Sequence, residues 1–492
     1  EMLPFAAFFA KRIMRANMRH CVAPKKTTPP KFRNTGNEIF CNLCYYIITA
    51  CKQKENEVYQ MDNREMIQKT INYIDDNIKA EISAAELADI AGFSLYHFYR
   101  LFQLAVGMPL MQYVLRRKLL YGIYDISNGM SKTDAALLYG FETYAGFYKA
   151  FRREIGYTPS EFLRSFKAKK PYAIDLFKEE YIMITHNKIS AILKHWDMQN
   201  EAIRNVYIAS TGECNDNAYY IGEKYVLKVT PNLGELKKHI SLSRAISHCG
   251  LCVAEPVQTT DGNDYVADGE LYFCLSERLD GELIAPADMY QEDKASHARF
   301  IGEMIGQLHL ALSRVDAVIN EADIYSAVTG WAMPKLKERI SLPEGLEEKY
   351  TTVFGALFNK IPKQIIHRDP NPSNIITCGG KCGFIDFDLA ERNVRIFDPC
   401  YAATAILSES FAENDEEKLI KWVGVLKEII TGYDSVVKMT AEEFEAVPYV
   451  ILSNQLIATA WFSEQDRYRD VFETNMKMTR WIADNISRLR FD

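Results

Sequence analysis

His367-Arg368-Asp369-Pro370-Asn371-Pro372-Ser373-Asn374 is followed eleven residues on by Ile385-Asp386-Phe387-Asp388. Residues of these types at these spacings suit phosphoryl transfer. In an H-R-D-x-x-x-x-N loop the aspartate can accept a hydroxyl proton and the asparagine can ligate a metal, and a later aspartate completes the metal site. None of these residues is specific alone; the ordered set is. A solvated Asp/Asn turn beside a buried strand is the plain alternative. It requires neither the D-x-x-x-x-N spacing nor a second aspartate in an apolar strand.

Such a loop needs elements that hold a nucleotide against it. Val206 to Ala209, Ala218 to Ile221 and Lys224 to Val229 alternate apolar and polar residues, with Gly212 and Gly222 between them, and are expected to be short strands. Val226-Leu227-Lys228-Val229 matches the strand whose lysine pairs with the α- and β-phosphates, which makes Lys228 the candidate. Glu235, early in a helix expected over about 233–247, is the candidate partner that orients this lysine. Leu271 to Ser276 is an apolar strand that leads into Glu277-Arg278-Leu279-Asp280-Gly281. There a hinge would bind adenine through its backbone, at Glu277 and Leu279. Ser210 to Asn217 holds one glycine where protein kinases use three, so the phosphate cover would be a polar turn.

Ile365 to Ile376, Gly383 to Asp388 and Asp398 together resemble the aminoglycoside phosphotransferase and choline kinase superfamily. The resemblance implies the two-lobed α+β fold of protein kinases and phosphorylation of a small hydroxylated molecule. It further implies Asp369 as catalytic base, and Asn374 and Asp386 as holders of Mg2+ that bridges the phosphates of ATP. Asp388 would be a ligand for a second metal, with Asp398 and His367 supporting the loop. His309 resembles the Leu-His end of a family helix, and by itself such a histidine is more often packed than catalytic.

An internal repeat lies upstream. Ile82 to Val114 and Met130 to Phe162 each run helix, Gly-Phe turn, second helix, closing glycine and proline. Phe98 and Phe102 in one copy, and Phe147 and Phe151 in the other, are four apart and share a helical face. The physical reading is two helix-turn-helix units with outward faces free to meet DNA. The pattern resembles the AraC-type transcription regulators, with a linker helix from about Met111 to Ser127. That resemblance implies base contacts from Tyr96, Tyr99 and Arg100 in the first unit, and from Tyr144, Ala145, Tyr148 and Lys149 in the second. Arg116, Arg117, Lys118, Arg152 and Arg153 are candidates for phosphate contacts.

Charge divides the chain. The net charge is +6 over 1–60, +3 over 61–170 and −16 over 171–492. The middle value is a modest footprint for promoter DNA, so tight binding calls for a homodimer or paired sites. The acidic C-terminal part suits a cationic acceptor.

Eleven cysteines, none between Met61 and Glu213, make no secreted disulfide framework, and neither Cys41-x-x-Cys44 nor Cys249-x-x-Cys252 has the partners of a zinc site. No apolar run approaches the ~18 residues of a membrane span. A cytoplasmic protein is expected. The expected organisation is a disordered or non-native extension over 1–60, with Met61 as the natural start. An all-α double helix-turn-helix domain over 61–170 follows, then a kinase-like domain over 171–492 with lobes at about 190–278 and 279–492. Two functions fit: a regulator fused to an active small-molecule kinase, or one whose kinase-like part is a silent ligand or nucleotide sensor.

Overall fold

A computed structural model describes residues 63–491, apart from 173, 178–182, 208–213, 292–295, 316, 318, 379–380 and 465–468. The expected N-terminal extension and the glycine of the polar turn at Gly212 lie outside the described residues. The chain forms two compact units. One holds 63–194 and 198–219, the other 195–197 and 220–492.

The first unit opens with α1 (63–76), whose Ile67, Ile71 and Ile74 recur at helical spacing and are buried. Two copies of one motif follow. In the first, α2 (Ala84–Ala91) is N-capped by Ser83 and α3 (Leu95–Val106) follows a turn at Gly92. Then comes α4 (Leu110–Ser127). In the second copy, α5 (Lys132–Leu138) is capped by Ser131 and α6 (Tyr144–Ile155) by Thr143, and α7 (Pro159–Ser165) starts on a Thr158/Glu161 capping box. Gly92 and Gly140 both sit at positive φ, 71° and 84°, where a side chain would be strained.

The paired phenylalanines are the centres of two separate cores. Phe98 and Phe102 are fully buried in one, Phe147 and Phe151 in the other. The linker helix α4 serves both, giving Tyr113 and Val114 to the first and Leu119 and Ile123 to the second. That double duty turns Arg116 and Arg117 inward, contrary to the phosphate-contact expectation for those two. Arg116 and Arg117 are each only 3% exposed. Arg117 makes a bidentate pair with Asp75 at 2.7 and 2.6 Å and donates to Tyr172 O, and Lys118 donates to Ala80 O. After α7 this unit continues through α8 (His186–Leu193) and β1 (Ile203–Tyr207) to the start of β2 (Cys214–Ile221).

In the second unit β3 (Tyr225–Thr230) is followed by α9 (Leu233–His248), β4 (Cys252–Val253), β5 (Val266–Asp268) and β6 (Leu271–Glu277). β6 lies antiparallel between β3 and β5, with Lys228 opposite Cys274. Further on come β7 (Glu282–Leu283), α10 (Ser296–Leu312), β8 (Lys363–Ile366), β9 (Ile375–Cys378), β10 (Lys381–Phe384) and β11 (Glu391–Val394). They make a four-stranded sheet ordered β4-β10-β9-β7 and a β8/β11 ribbon.

Helical stretches over 324–336 and 346–358 precede β8, and four longer helices follow β11: α11 (Phe397–Ser410), α12 (Glu416–Val436), α13 (Ala441–Phe462) and α14 (Arg469–Asp484). α10 and α12 cross so closely that a Cβ on Gly302 would lie 1.9 Å from Ile429 O. Most of the buried apolar side chains of this unit form one continuous core. The fold is therefore an all-α helix-turn-helix region followed by a mixed α/β kinase-like domain. No described helix is long and apolar enough to cross a membrane.

Candidate functional site

The H-R-D segment leaves β8 and turns back through residues 372–374 into β9, so the ribbon and the sheet clamp both of its ends. Asp369 is 1% exposed. Its Oδ1 accepts from Asn371 Nδ2 at 2.8 Å, and its Oδ2 accepts from Asn374 Nδ2 at 3.1 Å. The amide nitrogen of Asn374 also donates to Asp369 O at 2.9 Å, which turns that side chain's oxygen away from Asp369.

Asp398, at the start of α11, braces the loop from behind. Its Oδ2 accepts from His367 N and its Oδ1 from Arg368 N, at 2.8 and 2.9 Å. Oδ2 also meets His309 Nε2 at 2.8 Å, while His309 Nδ1 meets the Tyr433 hydroxyl at 2.8 Å. A carboxylate only accepts, so Nε2 carries a hydrogen toward Asp398, while Nδ1 is held by the Tyr433 hydroxyl. Burial pushes the Tyr433 phenol well above its usual pKa.

His367 follows the same logic. Asp369 N donates to its Nδ1 and its Nε2 donates to Ile385 O at 3.0 Å. Burial lowers its pKa against the pull of Asp398 and Asp386, so it stays neutral.

Asp386 and Asp388 come from the segment after β10. Asp386 has φ 71° and Arg368 φ 75°, two of the three non-glycine residues with positive φ among those described. Strain of this kind is held where the surrounding structure over-determines it, commonly at functional sites. Lys228 Nζ reaches Asp386 Oδ1 at 3.1 Å and also contacts Asp388 Oδ1, bridging about 160 residues of sequence. Burial opposes the lysine charge, but Asp386 and Asp388 outweigh it and hold the pKa above its ordinary value. His239 Nδ1 lies 3.6 Å from Asp388 Oδ1, and His239, Asp386 and Asp388 offer ligand atoms all within 4.8 Å of one another.

Glu235 sits in the first turn of α9, where its N–H is capped by Asn232 Oδ1. Lys228 Nζ is paired with the two aspartates, Asp386 and Asp388. Glu277 closes β6 and its N–H donates to Glu255 O, and Leu279 lies beyond it against Gly383.

In the first unit, Tyr96 is 83% exposed on α3, with Arg100 exposed and Tyr99 half-buried one turn on. On α6, Tyr144, Ala145, Tyr148 and Lys149 line one concave surface together with Arg152 and Arg153. The exposed groups of each copy thus lie opposite its buried phenylalanine pair.

A helix-turn-helix domain family matches residues 87–165, and a phosphotransferase enzyme family matches 209–427. The chain is a fusion of an AraC-type helix-turn-helix domain with an aminoglycoside phosphotransferase family domain. The HTH-type transcriptional regulator YbfP of Bacillus subtilis is 32% identical over 114 residues, 21% of this chain and 37% of that protein. A homoserine kinase of Sinorhizobium fredii is 28% identical over 204 residues, 39% of this chain and 58% of the kinase. Both relatives are thus matched over less than two thirds of their own length. A solved amicoumacin kinase in complex with AMP-PNP, Ca2+ and Ami covers 62% of this chain and 94% of its own at 16% identity, with a TM-score of 0.46.

Within the phosphotransferase domain, several residues at the site had no signal in the sequence. Tyr401, one turn into α11, has its phenol raised well above the usual range by burial and by Asp369, to which its hydroxyl is hydrogen-bonded. It stacks on Phe397, which in turn lies under the Arg368 guanidinium at 3.8 Å. Arg368 also pairs with the buried Glu391 at 2.9 Å. His239 carries no sequence signal, because a histidine within an amphipathic helix has no distinguishing spacing.

Proposed function

We propose that this chain is a DNA-binding transcription regulator carrying an ATP-dependent phosphotransferase that acts on a hydroxyl group of a small molecule. The observation that carries it is the convergence of Lys228 with Asp386 and Asp388, beside an Asp369 held by Asn371 and Asn374.

The donor set fits a hard divalent cation. Asp386 and Asp388 supply carboxylate oxygens, and Asn374, having committed its amide nitrogen to Asp369, has an amide oxygen left to give. Mg2+ held there would neutralise charge on the ATP phosphates. Lys228 now balances the two aspartates, and with the cation and nucleotide bound it is free to meet the phosphates. The backbone at Glu277 and Leu279 would hold the base. Asp369 would take the proton of the attacking hydroxyl, oriented by its two asparagines and by Tyr401. An acidic domain favours a cationic acceptor. In the regulator, Tyr96, Tyr99 and Arg100 on α3, and Tyr144, Ala145, Tyr148 and Lys149 on α6, would face base edges in a promoter.

The test is a turnover screen of the full chain with Mg·ATP against amino alcohols, sugars and aminoglycosides. Phosphate transfer to at least one acceptor is expected. Nucleotide binding without transfer to any acceptor or to water points instead to a silent sensor, and absence of both nucleotide and metal binding defeats either reading.

A further inference from the structure

The cation site has a nitrogen on one of its walls, and α9 puts it there. Leu236, His239, Ile240 and Ser243 recur at helical spacing on the buried face of this helix. Leu236 and Ile240 pack on Cys274 of β6, the residue opposite Lys228. His239 stands between them on the same face and is 5% exposed. The next anchor is Lys238, whose Nζ donates to Ala390 O at 2.9 Å and ties the helix to the segment that carries the two aspartates. Phe387, between those aspartates in sequence, has its ring 6.4 Å from the imidazole.

These contacts set His239 Nδ1 3.6 Å from Asp388 Oδ1. That is too long for a hydrogen bond. It is a natural separation for two ligands of one ion, since atoms bonded to a metal at about 2.1 Å lie roughly 3 Å apart as neighbours and about 4.2 Å apart when opposite. The ligand atoms of His239, Asp386 and Asp388 all fall within 4.8 Å of one another. The Lys228 ammonium touches both carboxylates, so the pair already accommodates a positive group.

Ligand chemistry then bears on which ion is preferred. Mg2+ takes oxygen ligands and gives up water reluctantly, whereas the later first-row dications accept imidazole nitrogen. The other two histidines beside the loop have both ring nitrogens committed, His309 to Asp398 and Tyr433 and His367 to Asp369 N and Ile385 O.

We propose that His239, Asp386 and Asp388 form a site for a transition-metal dication, with His239 Nδ1 as the ligand that favours such an ion over Mg2+. The inference deepens the proposed cation site by naming the metal class that its Asp388 side prefers. It depends on neither phosphate transfer nor an acceptor.

The experiment uses the full chain and Co2+ as the probe. Metal affinity is measured by calorimetry for Co2+ and for Mg2+, and proton NMR of the Co2+ form looks for a hyperfine-shifted imidazole N–H that vanishes in D2O. The wild type is expected to show that proton and His239→Leu to lack it. Co2+ affinity should fall at least about 10-fold in His239→Leu, since even outer-shell partners of a metal are worth that much, while Mg2+ affinity stays within about 2-fold. Asp388→Asn leaves the buried histidine in place and should weaken Co2+ by a similar factor, which keeps the proposal open to refutation if His239→Leu does not fold. Absence of a shifted imidazole proton in the wild type, its survival in His239→Leu, or Co2+ affinity unchanged in Asp388→Asn would overturn the assignment. A separate titration with a non-hydrolysable ATP analogue tells the two readings apart. If the analogue fails to bind with either metal while the histidine signal is present, the proposed function fails and the metal site stands.

Discussion

Asp398 and the Lys228–Asp386–Asp388 cluster are two acidic centres of one domain built to opposite ends. Asp398 is fully buried, and its oxygens are met by two backbone N–H groups and a histidine that is itself fixed by Tyr433. It supports neighbouring structure and has no need of a further ligand. At the other centre two carboxylates crowd one lysine and a histidine, with Asp386 on a strained backbone. Like charges gathered this way favour a cation that can replace the lysine. The first centre holds the loop; the second, under the proposed function, is the one that a cation and nucleotide would load.

The largest effect is expected at Asp369, on the loop that Asp398 braces. Asp369→Asn should lower turnover about 10²- to 10⁴-fold, the range of a lost general base, with Mg·ATP affinity nearly unchanged. A parallel fall in nucleotide affinity would move Asp369 from the reacting hydroxyl to the nucleotide site.

Next comes the brace itself. Asp398→Ala strands three buried donors at roughly 1–3 kcal/mol each, so urea unfolding of the variant should show a loss of at least about 3 kcal/mol. Asp388→Ala removes a like charge and should cost far less. Comparable losses in both would abolish the distinction between a supporting and a loading centre.

The contrast extends to the regulator, where buried and exposed cations also divide the work. Arg117→Ala leaves Asp75 in a buried setting without its bidentate partner and should cost about 3 kcal/mol of stability. Arg100→Ala and Lys149→Ala should leave stability within about 0.5 kcal/mol. They should instead relax base preference, each in a different half of the site, by about 1–3 kcal/mol. A binding-site selection with each variant provides the check.

These contrasts were unequally legible in the sequence. The H-R-D loop and the paired phenylalanines are legible because their signal lies in fixed short spacings, from Asp369 to Asn374 and from Phe98 to Phe102. Lys228 was found through its strand, although its aspartate partners lie far along the chain. His309 and Tyr433 are 124 residues apart and meet only because α10 and α12 cross at Gly302, which no local pattern announces. Tyr401 was hidden for the same reason.

Arg116 and Arg117, candidates for phosphate contacts in the sequence, are buried. A basic residue in a linker helix looks the same whether it faces DNA or an aspartate 42 residues earlier. Alternation marks a strand at Val206 to Ala209 for the kinase-like part, and β1 lies earlier, at Ile203–Tyr207. There Asn205 and Tyr207 meet residues about 50 positions upstream.

The most direct test of the loading centre is a calorimetric titration of the full chain with ATP, with Mg2+ present and with Mg2+ chelated, for the wild type and Asp386→Ala. The wild type is expected to bind ATP far more tightly with the cation than without it, and Asp386→Ala to lose most of that difference. Equal affinity in the presence and absence of Mg2+ for the wild type, or a cation dependence that survives in Asp386→Ala, would contradict the assignment of Asp386 and its neighbours as the site where the cation and the phosphates meet.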